Sequence, residues 1–233
     1  MAAPARASRA RPTRDRLIDA AAAVFAQRGY RGATMREIAD RAGANLAAAH
    51  YHFGSKLELY RAVVTAQFER LEARLAERGG AVGDARRSAP PREQVIAQLR
   101  ARLATMIATL LEPGGVHPTL MLRELSDPSE VLPFIVERFI EPLHGDTMRL
   151  LAQLAPSLDE ASLRRSVHSV VGQVSFYLTH RPALLRLMKR SRYPAGFGDA
   201  VADHVVAFTL GGLAELERER AQPPARRAKG RTR

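Results

Sequence analysis

Cysteine is absent from all 233 residues. That excludes a disulfide framework, a thiolate metal site and a cysteine nucleophile. It fits a reducing compartment, and a cytoplasmic protein is the expectation. No stretch of eighteen uncharged apolar residues occurs, so no membrane span is expected. The run LIDAAAAVFA follows several arginines and imitates a short signal core, but it contains Asp19 and its apolar spacing is helical. Lysine is scarce, at Lys56, Lys189 and Lys229 alone, so the positive charge is almost all arginine. No alternating strand pattern and no internal repeat appears. Nor is there a Ser/His/Asp grouping, a phosphate-cradling glycine loop, a metal motif or a paired carboxylate set at a useful spacing. An enzyme is therefore not expected, and no cofactor is called for.

What is present is helix-forming sequence. Alanine, leucine, arginine and glutamate dominate almost every segment, and 46% of the chain is hydrophobic. The expected fold is all-α, in two units. The net charge is +12. Five arginines against Asp15 lie at or before Arg16, and five cations with no acid follow Ala225, so nine of the twelve charges sit in the two ends. Codon bias toward arginine explains such ends, and so does an electrostatic anchor for a polyanion such as DNA.

The expected organisation is a disordered basic arm over 1–13, a DNA-binding unit with its connecting helix over 14–78, and a loop over 79–91. A second helical unit over 92–221 and a disordered basic tail over 222–233 follow. The first helix runs from Arg14 to Arg28 with Gly29 as its stop. Thr34-Met35-Arg36-Glu37 reads as a capping box for the second helix, which Gly43 ends. Asn45 caps a third helix, Leu46 to Phe53, and Ser55 caps the next, to about Arg78. Later helices are expected at 92–111, 118–125, 131–154, 159–179, 182–189 and 199–221. Pro113, Pro118, Pro128, Pro156, Pro182 and Pro194 mark most of the joints.

A helix, a short glycine turn and a second short helix inside a three-helix unit make a helix-turn-helix. The third helix bears no acid, which would repel phosphate. Ala47 and Ala48 allow close approach to bases, and His50, Tyr51 and His52 offer ring donors to phosphates or bases. Lys56, beside free amides at a helix start, reads as a phosphate clamp. Thr34, Arg36, Asn45, Ala47, Ala48, His50, Tyr51 and Lys56 are the expected contacts to double-stranded DNA, helped by Arg9 and Arg11 in the arm. Phe53 and Ala49 are expected in the core, with His52 the more buried histidine. His50 and His52 diverge around the helix, so they cannot chelate one ion.

On those residues the stretch TMREIADRAGANLAAAHYHFGSKLELY resembles the DNA-binding module of TetR/AcrR-type transcriptional regulators. The matching elements are Ile38-Ala39, Ala42-Gly43, the ring-bearing helix ending in Phe53, and Ser55-Lys56-Leu57. The chain departs from the pattern at His50, where tyrosine is usual, and at Leu46, where a polar residue is. More loosely, HPTLMLRELSDPSEVLPFIVERFIEPLH resembles the C-terminal domain of the CecR-like subgroup. The resemblance implies a dimer, a ligand-binding second unit, and control of genes that often include exporters.

In the second unit, Leu163, Val167, Val170, Val174 and Tyr177 form one stripe. Val201, Val205, Phe208 and Gly212 form another. Ordinary core packing explains both, and so does pairing of the two last long helices with their copies in a homodimer. A small-molecule pocket is expected among Met106, Leu110, Met121, Leu122, Phe134, Phe139, Met148, Phe176 and Tyr177, with Arg123, Glu124 and His144 as polar contacts. The expected function is a sequence-specific, homodimeric repressor released from its operator by a small ligand. Rival readings are a non-specific architectural DNA binder driven by the arginine ends, and an enzyme without a recognisable motif.

Overall fold

The computed structural model describes residues 12–78, 90–111 and 116–221, and every regular element among them is helical. The helices are α1 (Thr13–Gly32), α2 (Met35–Ala42), α3 (Leu46–Phe53), α4 (Lys56–Glu77), α5 (Arg92–Leu110) and α6 (Val116–Ser126). Then come α7 (Leu132–Ile135), a π-helical turn (Val136–Ile140), α8 (Glu141–Leu154), α9 (Glu160–Thr179), α10 (Arg181–Leu187) and α11 (Phe197–Ala221). The expected arm, tail and most of the 79–91 loop lie outside the described residues, as do Arg9 and Arg11. None of the described helices is long and apolar enough to cross a membrane.

Local chemistry sets most helix ends. Gly29 takes φ 70, ψ 174 and breaks α1 where the sequence places its stop. Thr34 Oγ1 accepts from the Glu37 N–H at 3.2 Å. The reciprocal half of the expected capping box is replaced: Glu37 Oε1 meets Arg28 Nε at 2.7 Å instead, because α1 packs beside α2 and offers a cation. Gly43 closes α2 in the left-handed region at φ 61. Asn45 and Ser55 cap α3 and α4 by accepting from the N–H groups of Ala48 and Glu58. The segment 131–154, expected as one helix, follows one path but carries the π turn in its middle. Pro142 has no N–H to give the Arg138 carbonyl, and the Glu141 N–H reaches back to Val136.

Two apolar cores form. The first joins α1 to α4 around Leu17, Phe25, Ile38, Ala49, Leu59, Tyr60 and Val63, and continues past the loop into Leu120, Val131, Ile135 and Phe139. The second packs α5, α8, α9 and α11 around Leu99, Leu103, Leu150, Val167, Val170, Ala202 and Val205. The helix-turn-helix unit therefore shares its core with α6 and α7. Phe68 of α4 stacks on Phe139 at 4.3 Å between ring centres.

Of the two readings left open for the late stripes, core packing holds for most of their residues. Leu163, Val167, Val170, Val174, Val201 and Val205 are buried within their own chain. Only Phe208, 66% exposed, and Gly212 face outward from the residues the sequence singled out. On α11, Phe208, Gly212 and Leu216 follow at four-residue steps on one surface. A Cβ added at Gly211 or Gly212 would meet nothing within 4 Å. Val171 and Phe176 are exposed on α9.

Candidate DNA-binding face and ligand cavity

Helix α3 is anchored by Ala49 and Phe53, both buried, while Ala47, His50, Tyr51 and His52 face out. Tyr51 is 85% exposed, with only the edge of the His52 ring beside it, an unusual place for a large ring. The expectation of a buried His52 is corrected: a helix this short has one inward edge, and Ala49 and Phe53, four apart, fill it. His50 Nδ1 lies 2.9 Å from the Gly54 carbonyl oxygen and closes the last turn. Thr34, Arg36 and Asn45 are exposed at the starts of α2 and α3, whose first amides point outward. Arg14, missed from sequence, lies over the Phe53 ring at 5.5 Å and brings a guanidinium to the same end of the unit.

Lys56 is turned inward. Its Nζ donates to the carbonyls of Ala33 at 3.2 Å and Arg31 at 3.5 Å, and sits 4.6 Å from the Tyr30 ring centre. Lys56, expected as a phosphate clamp, serves here as a tether between α4 and the end of α1, because carbonyls and a ring face lie within reach of its stem. Lys56→Ala is expected to destabilise the fold by about 1–2 kcal/mol, on top of any loss in DNA binding. Urea denaturation without DNA checks this.

The same end of α1 is also held from the second unit. The carbonyls of Ala26 and Gln27 lie just before the kink at Gly29. Arg123 of α6 donates to both, at 2.8 and 2.7 Å. Beside it, Tyr60 donates to Glu124 Oε1 at 2.8 Å inside the core. Glu124 is 3% exposed, and its Oε2 takes the Ser129 N–H and hydroxyl. Burial and the Glu124 carboxylate push the Tyr60 hydroxyl well above its ordinary pKa. Arg31 pairs with Asp127 at 3.0 Å, and Tyr30 with Glu130. Arg123 and Glu124, expected as ligand contacts, instead fasten α6 to the DNA-binding unit.

A cavity of about 500 Å³ opens on the other side of that helix. Phe68, Leu71, Met106, Thr109, Leu110, Met121, Leu125, Ile140, Leu143, His144, Thr147, His168, Val171 and Gly172 line it. Met106, Leu110, Met121 and His144 were expected there. Phe139, Phe176 and Tyr177 are not in the wall, nor are Leu122, Phe134 and Met148. Phe139 is core behind it, Phe176 stacks on His180 at the surface, and Tyr177 packs on Phe197. The sequence reading missed His168, whose ring centre comes within 5.2 Å of that of His144. Only the packing of α9 on α8 pairs them. Among the described residues no group of three metal-ligating side chains gathers.

Residues 17–63 match the family model described as bacterial regulatory proteins, tetR family. Residues 95–213 match the C-terminal domain of the HTH-type transcriptional dual regulator CecR. The chain belongs to the tetR family. CecR of Shigella flexneri is 33% identical over 193 residues, covering 78% of this chain and 83% of the relative. The HTH-type transcriptional regulator BetI of Rhizobium meliloti is 39% identical over 158 residues, covering 68% and 73%. The solved structure of AibR in complex with isovaleryl coenzyme A and operator DNA shares the fold, with a TM-score of 0.61 and 18% identity over 84% of this chain and 97% of that one. The ketosteroid transcriptional regulator KstR2 of Mycobacterium tuberculosis does so with a TM-score of 0.56 and 20% identity over 86% and 94%. This tetR-family chain is a DNA-binding transcriptional regulator, not an enzyme.

Proposed function

We propose that the protein is a homodimeric repressor that leaves a near-palindromic operator when a small apolar molecule fills the cavity beside α6. The observation that carries the reading is the double use of α6. Met121 and Leu125 line the cavity, while Arg123 and Glu124, between them in sequence, hold α1 and α4. A molecule that displaces the first pair displaces the second, and with it the tilt of α3. The ligand must bind the shape unfit for DNA more tightly than the other, since equal affinity shifts nothing. AibR supports the pairing of the two partners, because its solved structure is in complex with isovaleryl coenzyme A and operator DNA on this fold. The family resemblance extends the targets to exporter genes.

Dimerisation rests on the outward side of α9 and α11. Phe208, Gly212 and Leu216 form an apolar strip, and the two bare glycines let a second backbone approach. Two copies of α3 would then read half-sites about 34–36 Å apart. Selection of duplexes from a random pool, followed by footprinting, is expected to return one two-fold symmetric site. Enrichment of no sequence, with binding that only weakens with salt, points to the non-specific binder instead. Phe208→Arg is expected to give monomers by light scattering and to weaken operator binding more than tenfold. An unchanged dimer would place the interface elsewhere.

A further inference from the structure

The two threonine hydroxyls of the cavity wall are already engaged. Thr109 Oγ1 donates to the Thr105 carbonyl at 2.9 Å and accepts from Arg74 at 3.3 Å. Thr147 Oγ1 donates to the Leu143 carbonyl at 3.0 Å and accepts from Arg102 at 3.1 Å. His144 Nε2 is buried yet meets no hydrogen-bond partner among the described residues. An orphaned nitrogen of this kind costs roughly 1–3 kcal/mol unless something satisfies it. Among the described residues no carboxylate, ammonium or guanidinium lines the cavity.

The surroundings of that nitrogen are positive. His168 and Arg164 of α9 both act against a charge on His144, and Arg164 is paired with Glu160. From α5, Arg102 lies buried behind Thr147. It pairs with Asp146 of α8 at 3.4 Å, which also meets Arg149. The cavity residues of α4 and α6 are Phe68, Leu71, Met121 and Leu125, none of them charged.

We infer that the ligand is an apolar carboxylic acid, its tail against Phe68, Leu71 and Met121 and its carboxylate at His144 Nε2. The inference rests on the reading of this cavity as the effector site. A cation is disfavoured by the nearby guanidiniums of Arg164 and Arg102, and a neutral alcohol leaves that field unused. Burial holds the empty His144 below its ordinary pKa, with His168 and Arg164 adding to the effect. A bound carboxylate favours the protonated ring and reverses this. Binding therefore takes up protons, and affinity rises as pH falls through the neutral range while the acid stays ionised.

Calorimetry with octanoate, 1-octanol and octylamine tests this on the full chain. Octanoate is expected to bind at least tenfold more tightly than the alcohol, with the amine weakest. Its apparent enthalpy should differ between phosphate and Tris buffers by the proton taken up. His144→Leu removes an unpaired buried nitrogen, so the empty variant should melt no lower than the wild type. It should lose the octanoate preference and the proton uptake while binding octanol within threefold of wild type. His144→Gln should also lose the uptake. If octanol matches octanoate, or if uptake persists in both variants, the acid preference is wrong and the cavity reading stands. If none of the three probes binds, the cavity is not an effector site and both readings fall.

Discussion

Replacing Tyr51 with alanine is expected to cut operator affinity at least tenfold and to leave the fold as stable as before. Both halves follow from one fact: the ring is 85% exposed on a helix whose inner edge is filled by Ala49 and Phe53. A side chain that touches no core contributes within about 0.5 kcal/mol to stability. The same ring lies on the acid-free face that a duplex would meet, where a tyrosine bonds phosphate or packs on sugar and base. Gel shifts on the selected operator, paired with thermal melts, separate the two effects. A variant that melts early, or that binds as the wild type does, would show that the ring serves the fold or that another face meets DNA. His52→Ala, one step round the helix, should be the milder change.

Arg102→Ala is expected to remove about 3–5 kcal/mol of stability, the largest loss from any one side chain of the second unit outside its apolar core. Arg102 is 1% exposed, and its guanidinium joins α5 to α8 by bonds to the Thr147 hydroxyl at 3.1 Å, the Leu143 carbonyl at 2.8 Å and Asp146 at 3.4 Å. Burial pulls its pKa down from the usual arginine value, with Asp146 acting in opposition. Truncation leaves the Leu143 carbonyl without that donor and opens a void behind the cavity wall. Urea unfolding measures the loss. Arg102→Lys should recover less than half, because an ammonium cannot span three acceptors on one plane. If alanine costs under 1 kcal/mol, the buried cation is not what holds α8 to α5.

The DNA-binding unit was legible because its signals are short-range. Thr34, Gly43, Asn45 and Ser55 act within four residues of themselves, so their caps and turns appear where the sequence places them. The errors in that unit come from neighbours further off. Glu37 turned to Arg28, and Lys56 turned to the carbonyls at the end of α1. The stripe on α9 was identified correctly as apolar, but its partner was left open between the chain's own core and a second copy. Periodicity marks a face as needing cover and does not say whether the cover is the same chain or a second copy.

The amino-acid order alone determined the helix-by-helix outline, the helix-turn-helix and the acid-free reading helix, since each is written in side chains a turn apart. Only the three-dimensional packing decided that Arg123, 97 residues away from Ala26, clasps α1 rather than a ligand. It also decided that His144 and His168 meet across two helices, and that Phe208 rather than Val205 looks outward. Those outcomes depend on which surfaces win the competition for burial once all helices are present, and no local pattern carries that information.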